Sequence, residues 1–148
     1  MGAFVLRPYR AEDEDAAIAL WLATWQQAYP SIDFAARVNW WRERWRSELV
    51  PHAAIVVAER ATTLIGFVTI DPSGYLDQLV VGPAYWGTQL GNTLMMEAKR
   101  LSPGGITLKV NADNFRAIRF YERNGFMHAG EDVNPNSKRL ILNMAWKP

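Results

Sequence analysis

Leu79-Val80-Val81-Gly82-Pro83-Ala84-Tyr85-Trp86-Gly87-Thr88-Gln89-Leu90-Gly91-Asn92 is an apolar run that breaks into a glycine-punctuated turn and continues in the pattern of an amphipathic helix. In a strand, turn, helix succession, the first amides of the helix lie at the turn and have no intrahelical carbonyl to bond. Gly87 and Gly91 let the backbone approach a ligand closely, so the segment reads as a seat for a pyrophosphate held by amides. The same glycines also suit a tight strand-to-helix corner without any ligand, and the turn alone leaves both readings open.

Towards the N-terminus, residues 75–81 form the strand that feeds this turn, behind the tight turn Asp71-Pro72-Ser73-Gly74. Strands at 53–58 and 64–70, joined by a hairpin turn at 60–63, make three antiparallel strands in a row. Two helices precede them. Ile18, Trp21, Leu22, Trp25, Ala28 and Tyr29 recur at three and four over 13–29, behind an acidic cluster suited to a helix start. Phe34, Val38, Trp41, Trp45 and Leu49 line one face of the second, which Pro51 is expected to close. The chain opens with a strand at 4–8. Towards the C-terminus come a helix over 87–101, a strand at 106–110, a helix over 114–124 stopped by Gly125, and strands at 126–130 and 140–146 around a turn-rich 131–137. The order β1-α1-α2-β2-β3-β4-α3-β5-α4-β6-β7 predicts an α/β (α+β) fold with a sheet of mixed direction, in which β4-α3-β5 is a right-handed parallel crossover.

A length of 148 residues predicts one domain over 1–148. A net charge of +1 names no polyanionic partner, and neither nucleic acid nor membrane is expected. No apolar run approaches the roughly 20 residues that span a bilayer, the first residues lack a signal-peptide pattern, and a cytoplasmic location is expected. The absence of cysteine excludes a cysteine acyl-enzyme and thiolate metal sites, and no metal is expected.

A second segment decides what the turn is for: Leu108-Lys109-Val110-Asn111-Ala112-Asp113-Asn114-Phe115-Arg116-Ala117-Ile118-Arg119-Phe120-Tyr121-Glu122-Arg123-Asn124-Gly125-Phe126. Read without a family, Phe120 and Tyr121 also suit core packing. Together the two segments resemble the paired signature of the GCN5-related N-acetyltransferases, with matches at Leu108, Val110, Asn114, Ala117, Phe120, Tyr121, Gly125 and Phe126. Trp86 and Gln89 depart from the family's turn, which usually has a polar residue and a glycine there.

The resemblance implies an acyl-CoA N-acyltransferase fold and transfer of acetyl from acetyl-CoA to a primary amine of a small molecule or peptide, by direct attack in a ternary complex. A non-catalytic acyl-CoA-binding module is the alternative, and a homodimer is compatible with either. It further implies that Gly87, Thr88, Gln89, Leu90, Gly91 and Asn92 hold the pyrophosphate, that Leu79, Val80 and Val81 pair with pantetheine, and that Asn114 helps fix it. Tyr121 would protonate the leaving sulfur, a task that a phenol of pKa about 10 facing a thiolate of about 8.5 performs only with help from position. An amine of pKa about 10.4 must also lose a proton; Asp77 is the first candidate base and His128 the second.

One or two aromatics of the first two helices, Trp25 or Tyr29 first, are expected to line the acceptor side. Arg116, Arg119 and Arg123 suit either a solvated helix face or the coenzyme's 3′-phosphate. Trp40-Trp41-Arg42-Glu43-Arg44-Trp45-Arg46 has the aromatic and basic character of a single-strand platform, but Trp41 and Trp45 fall on the packing stripe of their helix.

Overall fold

The computed structural model describes residues 3–148. Strand β1 (Val5–Pro8) pairs with β2 (Ala54–Arg60), β2 with β3 (Thr63–Ile70) and β3 with β4 (Leu76–Val81), all antiparallel. The β2–β3 hairpin closes through Ala61 and Thr62, both at positive φ, as a tight two-residue turn requires. A second antiparallel sheet holds β5 (Ile106–Asn111), β6 (Met127–Val133) and β7 (Leu140–Trp146) in the order β5-β7-β6.

The two sheets meet at one parallel bridge, Tyr75 with Thr107, where the Thr107 amide donates to the Gly74 carbonyl at 2.9 Å. Beyond it β4 and β5 part. The mixed direction expected from the sequence is present as two antiparallel sheets joined by this parallel bridge. A local irregularity accompanies the parting: the β3–β4 register shifts between Val68 and Ile70, and the Gln78 amide bonds the side-chain hydroxyl of fully buried Thr69 at 3.0 Å. Such a bulge bends its strand and adds twist.

Helix α1 (Glu14–Ala28) and the helical run that begins as α2 (Val38–Arg44) cover one face of the first sheet. Their core is aromatic. Trp21 stacks on Trp41 at 4.9 Å, and Trp45 meets Tyr9 and Phe67 edge-on. Alternation along β2 sends Ile55 and Val57 to this face and Val56 and Ala58 to the other. There α3 (Leu90–Leu101) and α4 (Phe115–Arg123) pack through Leu94, Met95, Ala98 and Ile118.

Three of the differences from the expected boundaries have a local cause. The α2 run does not stop at Pro51: it widens into a π turn at Trp45–Leu49 and adds a last turn at Val50–His52. Pro51 stands in that last turn, directly after the π widening. Helix α3 starts at Leu90 rather than 87, because Gly87 sits at φ +79 and the Thr88 hydroxyl accepts the Leu90 amide at 3.3 Å in place of a helical bond. Strand β6 runs to Val133, since Glu131, Asp132 and Val133 pair with β7 and confine the turn to the residues after them.

Candidate active site

The parting of β4 and β5 opens a cleft of about 600 Å³, walled by α1, both strands, the turn before α3 and the first turns of α4. Strand alternation sets what β4 offers to it. The Val80 amide belongs to the β3 ladder, and that of Gly82 donates to Ile65 at 2.8 Å, so the amides of Leu79 and Val81 point the other way, into the cleft. Val80 itself is a core side chain at 2% exposure. Of the three β4 residues expected to pair with pantetheine, only its neighbours present backbone.

At the turn, the Thr88 amide is taken by Tyr85 and that of Leu90 by Thr88. Among the described residues, the amides of Gly87, Gln89, Gly91 and Asn92 have no acceptor. This cradle of four donors at a helix N-terminus suits an anion, whatever side chains the positions carry. The two glycines do different things. A β-carbon on Gly87 would meet nothing within 4 Å, whereas one on Gly91 would lie 3.0 Å from the Phe120 ring. Gly91 thus permits close packing of α3 on α4; only its amide faces the cradle.

Asn114 caps α4, accepting the Ala117 amide at 3.3 Å through its side-chain oxygen. Its side-chain NH₂ donates to no described residue, and Asn114 lines the cleft. Tyr121, on the same helix, packs edge-on to Phe120 at 5.5 Å and against Phe126 at 5.7 Å. Its hydroxyl has no hydrogen-bond partner among the described residues, and burial pushes it up to about 12 against the pull of nearby Arg116.

Asp77 lines the cleft but is not free. Arg44 grips both its oxygens, one at 2.9 Å, and the Gln78 side-chain amide donates to it at 3.0 Å. The grip in turn holds Arg44 above its ordinary pKa. The sequence reading missed Arg44, whose signal is its position three residues after Trp41, over whose ring it lies at 5.4 Å. It also missed Thr24, three residues after Trp21, a buried cleft-wall hydroxyl without a partner among the described residues.

Trp25 lines the cleft. Tyr29 does not. It stacks behind Trp25 at 5.9 Å, donates to Asp113 at 3.1 Å and lies under the Arg139 guanidinium, so it ties α1 to the segment between β5 and α4. Of the two candidates, Trp25 is the ring that lines the cleft, and Tyr29 supports it from behind. His128 is exposed on β6, 3.6 Å from Glu122 and outside the cleft lining. The arginines of the second helix are engaged: Arg42 and Arg46 pair with Glu14, and Arg44 with Asp77.

A larger groove of about 960 Å³ opens beside β1, β2 and the end of α3. Its charged side chains are all paired, Arg46 with Glu14 at 2.7 Å, Arg7 with Asp13 at 2.8 Å and Arg100 with Glu97.

The profile of the Acetyltransferase (GNAT) family matches residues 14–126. The peptidyl-lysine N-acetyltransferase YjaB of Salmonella typhimurium is 29% identical over 126 residues, covering 84% of each chain. The peptidyl-lysine N-acetyltransferase YiaC of Escherichia coli is 28% identical over 125 residues, covering 82% of each. The crystal structure of the PaiA N-acetyltransferase of Thermoplasma acidophilum in complex with coenzyme A superposes with a TM-score of 0.77 at 23% identity, over 99% of this chain and 100% of that one. With the opened β4/β5 cleft and its free amides, these likenesses make the chain a member of the GNAT family of acetyltransferases.

Proposed function

We propose that this acetyltransferase moves acetyl from acetyl-CoA to a primary amine, that of a lysine-like side chain on a peptide or of a small molecule, by direct attack within one ternary complex. The observation that carries the reading is the row of unpaired donors along a single cleft: Leu79 and Val81 on β4, then Gly87, Gln89, Gly91 and Asn92 at the turn. A pantetheine arm carries amides that such a strand edge can pair, and a pyrophosphate satisfies the cradle. When bound, the coenzyme supplies an activated acetyl thioester.

The remaining chemistry falls to side chains. Tyr121 keeps its proton throughout the neutral range, because burial holds it at about 12. Full transfer of that proton to a free thiolate of pKa about 8.5 is uphill by roughly 5 kcal/mol, so Tyr121 acts as a hydrogen-bond donor to sulfur as charge develops there, when the interaction is strongest. Asp77 receives the amine's proton. A carboxylate has about four acceptor sites, which leaves it capacity beyond the two oxygens' bonds to Arg44. Trp25 gives the acceptor side an aromatic wall suited to the aliphatic stem and cationic head of a lysine-like amine. The two relatives that share most of this chain's length are named for peptidyl-lysine acetylation, which favours a peptide among the acceptors.

The test is thiol release from acetyl-CoA in the presence of lysine peptides, peptide N-termini, polyamines and free amino acids. Release that depends on a primary amine supports the proposal. Coenzyme binding without release for any amine would favour the non-catalytic acyl-CoA module.

A further inference from the structure

Trp86 stands where the family's turn usually has a polar side chain, and with its indole N–H spent on Val81 the turn has no free side-chain donor at that point. The structure fills the gap from another element. The Arg116 guanidinium, on the first turn of α4, lies over the Trp86 ring at 3.8 Å from its centroid. The ring is itself fixed, since its Nε1 donates to the Val81 carbonyl at 2.8 Å. Arg116 lines the same cleft as Gly87 and Gln89 and pairs with no carboxylate among the described residues. Of the charged groups lining the cleft, Asp77 is the one carboxylate, and Arg44 already neutralises it; Lys109 is paired with Asp132. That leaves Arg116 and Arg123 as uncompensated cations beside the donor cradle.

Resting on the coenzyme reading above, we propose that Arg116, held in place by the Trp86 ring, is a phosphate-binding residue for the nucleotide end of coenzyme A and replaces the polar side chain missing from the turn. Arg116 is the contact, and Trp86 is its positioning residue. A guanidinium stacked on an indole keeps its in-plane N–H donors free for phosphate oxygens. The stack also fixes in advance a side chain that would otherwise lose rotamer freedom on binding.

Calorimetric titration of the unliganded variants with coenzyme A and with 3′-dephospho-coenzyme A tests this. Arg116→Gln should weaken coenzyme A binding roughly tenfold or more, the usual worth of a hydrogen bond to a charged group. A loss with both ligands assigns the contact to the pyrophosphate; a loss with coenzyme A alone assigns it to the 3′-phosphate. Either outcome supports the proposal. Arg119→Gln, which removes an equal charge one turn along but outside the cleft lining, should leave both affinities unchanged. Trp86→Leu should lose part of what Arg116→Gln loses, Trp86→Phe should restore most of it, and Trp86→Leu should add nothing in the Arg116→Gln background. Wild-type affinity in Arg116→Gln, or an equal loss in Arg119→Gln, overturns the contact; wild-type affinity in Trp86→Leu overturns the positioning role. Failure of the wild-type protein to bind coenzyme A would overturn the coenzyme reading itself, and this proposal with it.

Discussion

Replacing Gly91 by alanine separates packing from ligand approach at the turn. A methyl there would lie 3.0 Å and 3.3 Å from two ring carbons of Phe120 and 3.6 Å from Val81, against the 3.5–4.0 Å of a relaxed carbon contact. Phe120 has little room to retreat, being packed on the core and edge-on to Tyr121. Overpacking of this kind costs about 1–3 kcal/mol, and the helix-propensity gain of alanine over glycine offsets at most ~1 kcal/mol. A net loss near 1 kcal/mol lowers the Tm of a domain this size by roughly 2–4 °C. Displacement of Phe120 also moves Tyr121, so kcat should fall more than coenzyme affinity. The assay is a thermal melt paired with calorimetry and steady-state kinetics, for Gly91→Ala, Phe120→Leu and the double variant. The double variant should melt no lower than Phe120→Leu alone, because removing the ring removes the clash. Equal penalties in both backgrounds would refute the packing role. Gly87→Ala is the contrast: its methyl meets open space, so the cost is that of placing alanine at φ +79, and coenzyme affinity should fall while kcat holds.

Tyr121→Phe keeps the ring contacts and deletes the unpartnered hydroxyl; kcat should fall roughly 10²-fold with coenzyme affinity unchanged, and full activity would remove Tyr121 from the chemistry. Asp77→Asn should slow acetylation most near neutral pH and least as the pH nears the amine's own pKa of about 10.4; a pH-independent loss would mark the Arg44–Asp77 pair as purely structural. Arg46 and then Arg42 hold Glu14 down at about 2. Its contribution to stability is therefore complete above the unfolded carboxyl's pKa near 4.5 and is lost as pH falls through 2; Glu14→Gln should melt lower at pH 7 and show a shallower acid decline over that interval.

Local signals in the sequence carried much of the fold. Apolar runs joined by a hairpin turn located β2 and β3, and spacing at three and four located α1, because one buried helix face imposes its period on the residues that meet it. The glycine turn and the Asn114 to Tyr121 spacing were legible for the same reason, as each lies within one short segment. What stayed hidden was every partnership between distant elements. Arg44 and Asp77 are 33 residues apart, and nothing in a run of arginines says which of them turns inward. Trp86 looked like a lost motif residue, and its meaning emerges only with Arg116 over it. Trp25 and Tyr29 share a stripe, yet four residues advance a helix slightly beyond one turn, and Tyr29 at the C-terminal end of α1 swings onto Asp113 instead of the cleft. Gly91 looked like its neighbour Gly87; only the position of Phe120 distinguishes a packing glycine from an open one.

Amide chemical shifts of ¹⁵N-labelled protein titrated with coenzyme A test the placement of the coenzyme most directly. The amides of Leu79, Val81, Gly87, Gln89, Gly91 and Asn92 should move together and saturate at one affinity, since these are the donors left unpaired along the cleft, while Ala54, Ile55 and Val56 in the larger groove stay still. Saturating shifts in the groove residues with the turn amides unmoved would contradict the account.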